Sequence, residues 1–364
     1  MKATITLLPG DGIGPEVVQS AVAVLRNVAD TFGHEFQMET YLIGGVAIDR
    51  HGVALPEPTL DACRKADAIL LGAVGGPKWD DPTAPVRPEQ GLLALRLALG
   101  AFANLRPVKL HPDLLDASPL RPERLQNVDL MVVRELTGGI YYGKPRLRRS
   151  VHGELQALDT MIYSESEVRR IAHLAFQLAQ GRRKMVTSID KANVLECSRL
   201  WRQVVSQVGE DYPDIVLNHV LVDAAAMFLV TNPASFDVIL TPNMFGDILS
   251  DEASVLSGSM GNMPSASLGQ DQNAFGLPRG VYEPMHGSAP TIAGKGIANP
   301  IGTILSAAFL LRYSLGLEKE AQSIEYAVDA TLSAGSRTVD LAQDRGATLS
   351  TSEITDVIIG NIKE

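Results

Sequence analysis

Phe245-Gly-Asp-Ile-Leu-Ser-Asp-Glu-Ala-Ser254 decides how the rest of the chain is read. Asp247 and Asp251 are four residues apart, so a helix carries both carboxylates on one face, one turn apart. No basic residue lies between them to neutralise the pair. Upstream, Phe236-Asp-Val-Ile-Leu240 reads as a strand, and Thr241-Pro-Asn243 as its end. Strand, loop and a helix opening with acids is where α/β proteins place ligands. Adjacent carboxylates repel, and a shared hard cation such as magnesium relieves the repulsion. The same spacing also describes a solvated helix face, or acids suited to the helix dipole.

Working outward, several elements end on charged residues. Ala103-Asn-Leu-Arg-Pro-Val-Lys109 reads as a strand carrying Arg106, and Asp129-Leu-Met-Val-Val-Arg134 as a strand ending on Arg134. Glu135–Gly143 then forms a glycine-flanked loop that presents Tyr141. A helix from about Gln90 puts Leu92 and Arg96 on one face, with Leu93, Leu97 and the alanines as its packing face. Arg96, Arg106 and Arg134 together suggest a carboxylate clamp, because guanidinium forks match carboxylates bidentately. Taken singly, each reads as a surface arginine. Lys184–Ile189 is a strand that leads into Asp190-Lys-Ala-Asn193. Lys191 there is a candidate general base or a solvated lysine. Asn218-His-Val-Leu-Val-Asp223 opens a further helix, and Asp223 is a third metal ligand or a helix-start acid.

The glycine loops suggest a ligand on the other part of the chain. Thr4–Leu8 is a strand, followed by Gly10-Asp-Gly-Ile-Gly-Pro-Glu16 and a helix to about Ala29. A dinucleotide fingerprint needs its third glycine where Pro15 stands, so this is a helix-capping loop without Rossmann spacing. Strand Ala68–Gly72 leads to Gly72-Ala-Val-Gly-Gly-Pro77, where Gly75 and Gly76 allow a ligand close to the backbone or form an ordinary turn. Gly258–Ser267 is a glycine- and serine-rich connection, and Tyr282–Pro300 is long and irregular, which usually signals function. Ser164 and Glu167 form a capping box for a helix to Gln180. Helices near 301–315 and 318–334 and a short last one finish the chain.

Bulk properties narrow the classes. The 364 residues suggest two domains or one large one, and 45% hydrophobic content provides a core. Net charge of −10 argues against nucleic acid as a partner. A basic cluster of Arg134, Lys144, Arg146, Arg148 and Arg149 runs against that trend and suits a solvated arm or an anion site. Cys63 and Cys197 have no metal-ligand spacing and fit a reducing cytoplasm. The opening residues are too poor in apolar side chains for a signal peptide, and no run approaches a membrane span. A magnesium-dependent phosphoryl-transfer reading lacks the Gly-x-x-x-x-Gly-Lys-Ser/Thr motif.

These motifs in order resemble the β-decarboxylating dehydrogenase family of isopropylmalate, isocitrate, homoisocitrate and tartrate/D-malate enzymes. They are Gly10–Glu16, Arg134-Glu-Leu-Thr-Gly-Gly-Ile-Tyr141, Asp190–Asn193, Asn243–Asp251 and His286-Gly-Ser-Ala-Pro290 through Asn299. The resemblance implies an α/β fold with a long mixed sheet and no Rossmann domain. It places one domain at 1–101 plus 258–364. The other, 102–257, carries the dimer interface and an arm near Lys144–Leu158. It also implies a homodimer with shared active sites, in which Lys191 and Asp223 serve the partner of the chain that gives Asp247 and Asp251. Magnesium or manganese would sit on Asp223, Asp247 and Asp251. Lys191 would take the hydroxyl proton, Tyr141 would protonate C3, and the three arginines would grip the departing carboxylate. Glu89 resembles the family glutamate near the nicotinamide. His286, Gly287, Ser288, Ala289, Pro290, Thr291, Ile292 and Asn299 resemble its NAD loop, with Gly75 and Gly76. NAD-using members usually carry aspartate where this chain has Thr291; no positive charge stands there for a 2′-phosphate, so NAD is expected. The apolar Gly91-Leu-Leu-Ala-Leu95 suits an isopropyl group, whose burial is worth roughly 1.5–3 kcal/mol, and would penalise a further carboxylate. The expected reaction is oxidative decarboxylation of 3-isopropylmalate to 4-methyl-2-oxopentanoate in leucine biosynthesis. A sister activity on D-malate or tartrate is the alternative.

Overall fold

The computed structural model describes residues 1–81, 83–342 and 347–364. The chain divides into two compact units, Met1–Ala101 with Leu110–Pro119 and Ser254–Glu364, and Phe102–Lys109 with Leu120–Ala253. Segment 110–119 groups with the first unit, whereas the sequence reading puts it in the second domain. Its contacts explain the grouping. Arg337 donates to the Asp113 carbonyl at 3.0 Å, and Ser118 to that of Val255 at 3.4 Å.

In the first unit five strands run in the order Glu35–Thr40, Lys2–Gly10, Ala68–Ala73, Pro278–Pro284 and Pro264–Gln272. All neighbours are parallel except the last pair. Ala68–Ala73 is buried throughout, as a strand covered on both faces must be. The Gly14–Phe32 and Ile301–Leu315 helices are among its cover, and the latter is buried on nearly every side. Three strands escape the sequence reading, Glu35–Thr40 among them. Pro264–Gln272 begins inside the presumed connection, and Pro278–Pro284 runs into the presumed irregular stretch. Their serines and glycines hide the pattern, yet Ser265 and Ser267 are buried.

The second unit orders its strands Ala101–Lys109, Asp129–Glu135, Val238–Thr241, Met185–Asp190 and Val216–Leu221. The first pair is antiparallel and the rest parallel, so the strands of each unit are mixed and the expected α/β class holds. Residues 218–221 are strand, where the sequence suggests helix; helix begins at Val222. Parallel pairing of Asp190 with Leu221 outweighs local helix preference there. Leu147–Val151 and Glu154–Leu158 form a separate hairpin. His152 and Gly153, both at positive φ, turn it as a type I′ corner.

Candidate active site

The acid helix runs Asn243–Ser254, all but its last residue in the second unit. Its spacing brings Asp247 and Asp251 together as expected, but they are not left without counter-charge. Arg134 donates from Nη1 to Asp247 Oδ1. Arg106 donates from Nη1 to Asp251 Oδ1 at 3.2 Å and holds Nη2 3.8 Å from Asp247. Neutralisation comes from neighbouring strands rather than from the helix. Asn104 and Arg134 are cross-strand partners, which sets Arg106 two residues further along the same strand. Arg106 is fixed further by Asn104 Oδ1 at 2.6 Å and Ser250 Oγ at 2.7 Å. Burial raises the Asp251 carboxyl above its usual range, although Arg106 opposes the shift.

Tyr141 completes this cluster. Its hydroxyl donates to Asp247 Oδ2 at 2.6 Å, and Arg134 lies 5.6 Å from its ring centroid. Burial, followed by the Asp247 hydrogen bond, pushes the phenol up to about 12. The phenol is therefore protonated at neutral pH. The turn that carries it depends on Glu135, which is wholly buried. That carboxylate accepts from Thr137 N at 2.7 Å and Gly138 N at 2.8 Å, while burial holds its pKa above the ordinary value. Gly139, at φ 74°, packs so tightly on Tyr163 that a Cβ would lie 2.5 Å from its hydroxyl.

Lys191 and Asp223 form a second pair in the same unit. Lys191 Nζ donates to Asp223 Oδ1 at 2.6 Å, and this bond holds the exposed Asp223 carboxyl below its usual range. Asp190 beside it is buried and bound twice by Arg202. One chain does not gather Asp223 with Asp247 and Asp251. Among the described residues no three His, Cys, Asp or Glu side chains form a ligand group.

Arg96, in the first unit, is buried and donates from Nη2 to Glu283 Oε1 at 2.5 Å; its Nε is buried without a partner in the described residues. The packing face of its helix is Gly91 and Leu95, continued by Leu99, and not the expected Leu93 and Leu97. Leu97 is 58% exposed, while Leu95 is fully buried. Gly91 sets this register, since a Cβ there would lie 2.6 Å from the Ala54 carbonyl. Leu92 is half-buried against the core beside Leu95.

The expected cofactor residues belong to the first unit. Asp11, unnoticed in the sequence, organises them. Its carboxylate accepts from Gly45 N at 2.7 Å, Val46 N at 2.8 Å and Gly75 N at 2.8 Å. Gly75, at φ 101°, lies under the Glu89 carboxylate, 2.9 Å from where a Cβ would stand. Gly76 and Gly45 both lie against the Trp79 ring. The Gly10–Gly14 loop is no phosphate cradle, because Asp11 N donates to Ala73 O and Ile13 N to Ser288 O. Glu16 likewise clamps the amides of Gly294 and Gly296. A carboxylate close after a tight glycine turn, with glycines elsewhere to receive it, is the signal that finds both.

In the loop after Pro284, His286 Nδ1 lies 2.9 Å from the Gly287 carbonyl, so it carries the proton and donates. Nε2 is then a lone-pair acceptor, buried and without a partner in the described residues. Burial pushes His286 below the usual imidazole range, against the Gly287 bond and the Asp340 charge. Beside it Gly287 faces open space, and Ala289 sits at φ 38°. Ile292 packs on Ile13 and Val17, while Thr291 is exposed. Asn299 has structural work: it accepts from Ile301 N at 3.0 Å and donates to Asn262 and Asp340. Two carboxylates held open to solvent suit a hard cation. An orphan acceptor beside an uncovered glycine suits the amino edge of an adenine.

Residues 4–358 match the family model described as isocitrate/isopropylmalate dehydrogenase. A 3-isopropylmalate dehydrogenase of Anaeromyxobacter dehalogenans is 60% identical over 359 residues, 99% of each chain. That of Bacillus subtilis is 56% identical over 359 residues, 98% of this chain and 96% of the relative. Among solved structures, an isocitrate dehydrogenase from Methylococcus capsulatus superposes with TM-score 0.86 at 34% identity, covering 100% of both chains. A beta-decarboxylating dehydrogenase from Thermococcus kodakarensis gives 0.77 at 35%, over 99% of this chain and 96% of that one.

Proposed function

Because this chain belongs to the isocitrate/isopropylmalate dehydrogenase family, we propose that it oxidises and decarboxylates 3-isopropylmalate in leucine biosynthesis. The products are 4-methyl-2-oxopentanoate, carbon dioxide and reduced NAD. The observation that carries the chemistry is the cluster of Arg106, Arg134, Tyr141, Asp247 and Asp251 on one helix face, two strands and a short turn.

Asp247 and Asp251, with Asp223 from a second copy, would hold magnesium or manganese. When bound, the cation would lower the energy of negative charge on the substrate oxygens, and NAD would supply the hydride acceptor for C2. Lys191 of that second copy would accept the hydroxyl proton at Nζ. Arg106 and Arg134 exchange their carboxylate partners for the substrate carboxylate that leaves, since a bidentate fork fits either. Tyr141 Oη gives its proton to C3; the high pKa keeps that proton in place until a strong carbon base forms. In the first unit, Leu92 offers the isopropyl group an apolar contact, Arg96 is a further candidate for the departing carboxylate, and His286 to Ile292 with Gly75, Gly76 and Glu89 line the cofactor side.

A homodimer belongs to this reading. The helix Val222–Thr231 exposes Met227, Phe228 and Val230, and the Leu147–Leu158 hairpin exposes Leu155. Two-stranded hairpins are marginal alone in water and gain stability by packing. No helix among the described residues is long and apolar enough to cross a membrane, and a cytoplasmic location fits this role.

The test is absorbance at the reduced-nicotinamide band with 3-isopropylmalate and magnesium, with NAD and NADP in parallel. Reduction with NAD that a chelator abolishes is the expected result. Silence with 3-isopropylmalate alongside turnover of D-malate or tartrate would overturn the substrate and the reading of Leu92.

A further inference from the structure

We infer that Asn243 is a positioning residue that locks the Arg134 guanidinium and the turn carrying Tyr141 into one register. The inference rests on the roles proposed above for Arg134 and Tyr141. Asn243 stands one turn before Asp247 on the acid helix and is wholly buried. Its carboxamide is used on both sides. Oδ1 accepts from Arg134 Nε at 3.1 Å and Nη2 at 2.8 Å. Nδ2 donates to the Gly138 carbonyl at 3.1 Å, and the backbone N–H donates to the Tyr163 hydroxyl at 2.8 Å.

Two hydrogen bonds on one edge fix the rotation of a planar guanidinium. With its Nε and Nη2 edge on Asn243, Arg134 turns Nη1 toward Asp247. Gly138 is equally constrained, its N–H held by Glu135 and its carbonyl by Asn243. The short turn Gly139–Tyr141 starts from that fixed peptide, and the Tyr141 hydroxyl reaches Asp247. The contacts close a ring: Asn243, Arg134, Asp247, Tyr141, Gly138 and back to Asn243. A single carboxamide is both acceptor for the arginine and donor for the turn. Aspartate keeps the acceptor and loses the donor; serine is too short to span both.

The test is a kinetic cycle on the full-length enzyme with 3-isopropylmalate, magnesium and NAD. Asn243→Ala is expected to lower kcat/KM by about 10–100-fold, the range for partners that orient reacting groups. Part appears as a higher substrate KM through Arg134, and part as a lower kcat through Tyr141. In a Tyr141→Phe background the same change is expected to lower kcat by less than about threefold further, because groups acting through one another are not additive. The KM rise persists there. Asn243→Asp is expected to bring KM back to within about threefold of the parent while kcat stays low. A full kcat loss in the Tyr141→Phe background, or equal KM defects for Asn243→Asp and Asn243→Ala, would overturn the inference. If Asn243→Ala does not fold, Asn243→Ser takes its place in the same cycle. Unchanged kcat for Tyr141→Phe alone would instead sink the role of Tyr141 and that half of the inference. The KM comparison would then decide the Arg134 half.

Discussion

Replacing Asp11 tests whether the first glycine loop is structural wiring for the second. Three amides converge on its carboxylate: Gly45 and Gly75 on Oδ2 and Val46 on Oδ1. Asp11 is only 5% exposed, so water does not readily replace it. Alanine strands three N–H groups, each worth about 1–3 kcal/mol when buried and unpaired. Allowing for relaxation, the loss is about 3–6 kcal/mol. Asparagine is milder. Its carbonyl can keep the Gly45 and Gly75 bonds, but its amide faces the Val46 donor, so about 1–3 kcal/mol is lost. At about 2–4 °C per kcal/mol for a unit of this size, Asp11→Ala lowers Tm by at least about 6 °C and Asp11→Asn by less. Gly75 loses its anchor in the alanine variant, so there KM for NAD rises while KM for the hydroxy acid changes less. Differential scanning calorimetry with steady-state kinetics reads both effects. An Asp11→Ala enzyme that melts within about 2 °C of the parent, with an unchanged NAD KM, would refute the reasoning.

Other changes test the remaining groups. Tyr141→Phe removes the proton held by the high phenol pKa and should slow the decarboxylation half; unchanged overall turnover counts against it. Thr291→Asp places a negative charge where a 2′-phosphate would lie, so the ratio of NAD to NADP activity should rise, and steady-state kinetics with both cofactors reads it. His286 is neutral at pH 7 because burial depresses its pKa. Cofactor binding should therefore be flat from pH 8 to 7 and weaken only below about 6.5, the unperturbed imidazole value. The unfolded chain takes the proton first, so stability too declines as pH falls from there through the folded-state pKa. Calorimetric titration with NAD at several pH values checks this, with His286→Gln as control, and weakening already between pH 8 and 7 would exclude His286 as the cause.

What could be read from the sequence follows from the range of each interaction. Asp247 and Asp251 are visible because helix periodicity is local, and the same step back by four residues points at Asn243. Capping works the same way: Ser164 and Glu167 form the box their spacing announces. The arginines that neutralise the acids are a different case. Arg106 and Arg134 reach Asp247 because their strands pair in one register, which no local spacing encodes. They could be suspected as a group of cations but not assigned to these acids. Asp11 was harder still, since its partners lie up to 64 residues away and are backbone amides with no side-chain signature. The errors have the same origin. Residues 218–221 carry helix-compatible side chains and become strand because Met185–Asp190 offers them an edge. Leu97 looks like core and is exposed because a close approach at Gly91 fixes the helix one position round. Local chemistry thus places the paired acids, while long-range pairing decides which cations and amides hold them. Substitutions at Asn243 and Asp11 should therefore impair the proposed site without removing any group that meets the substrate.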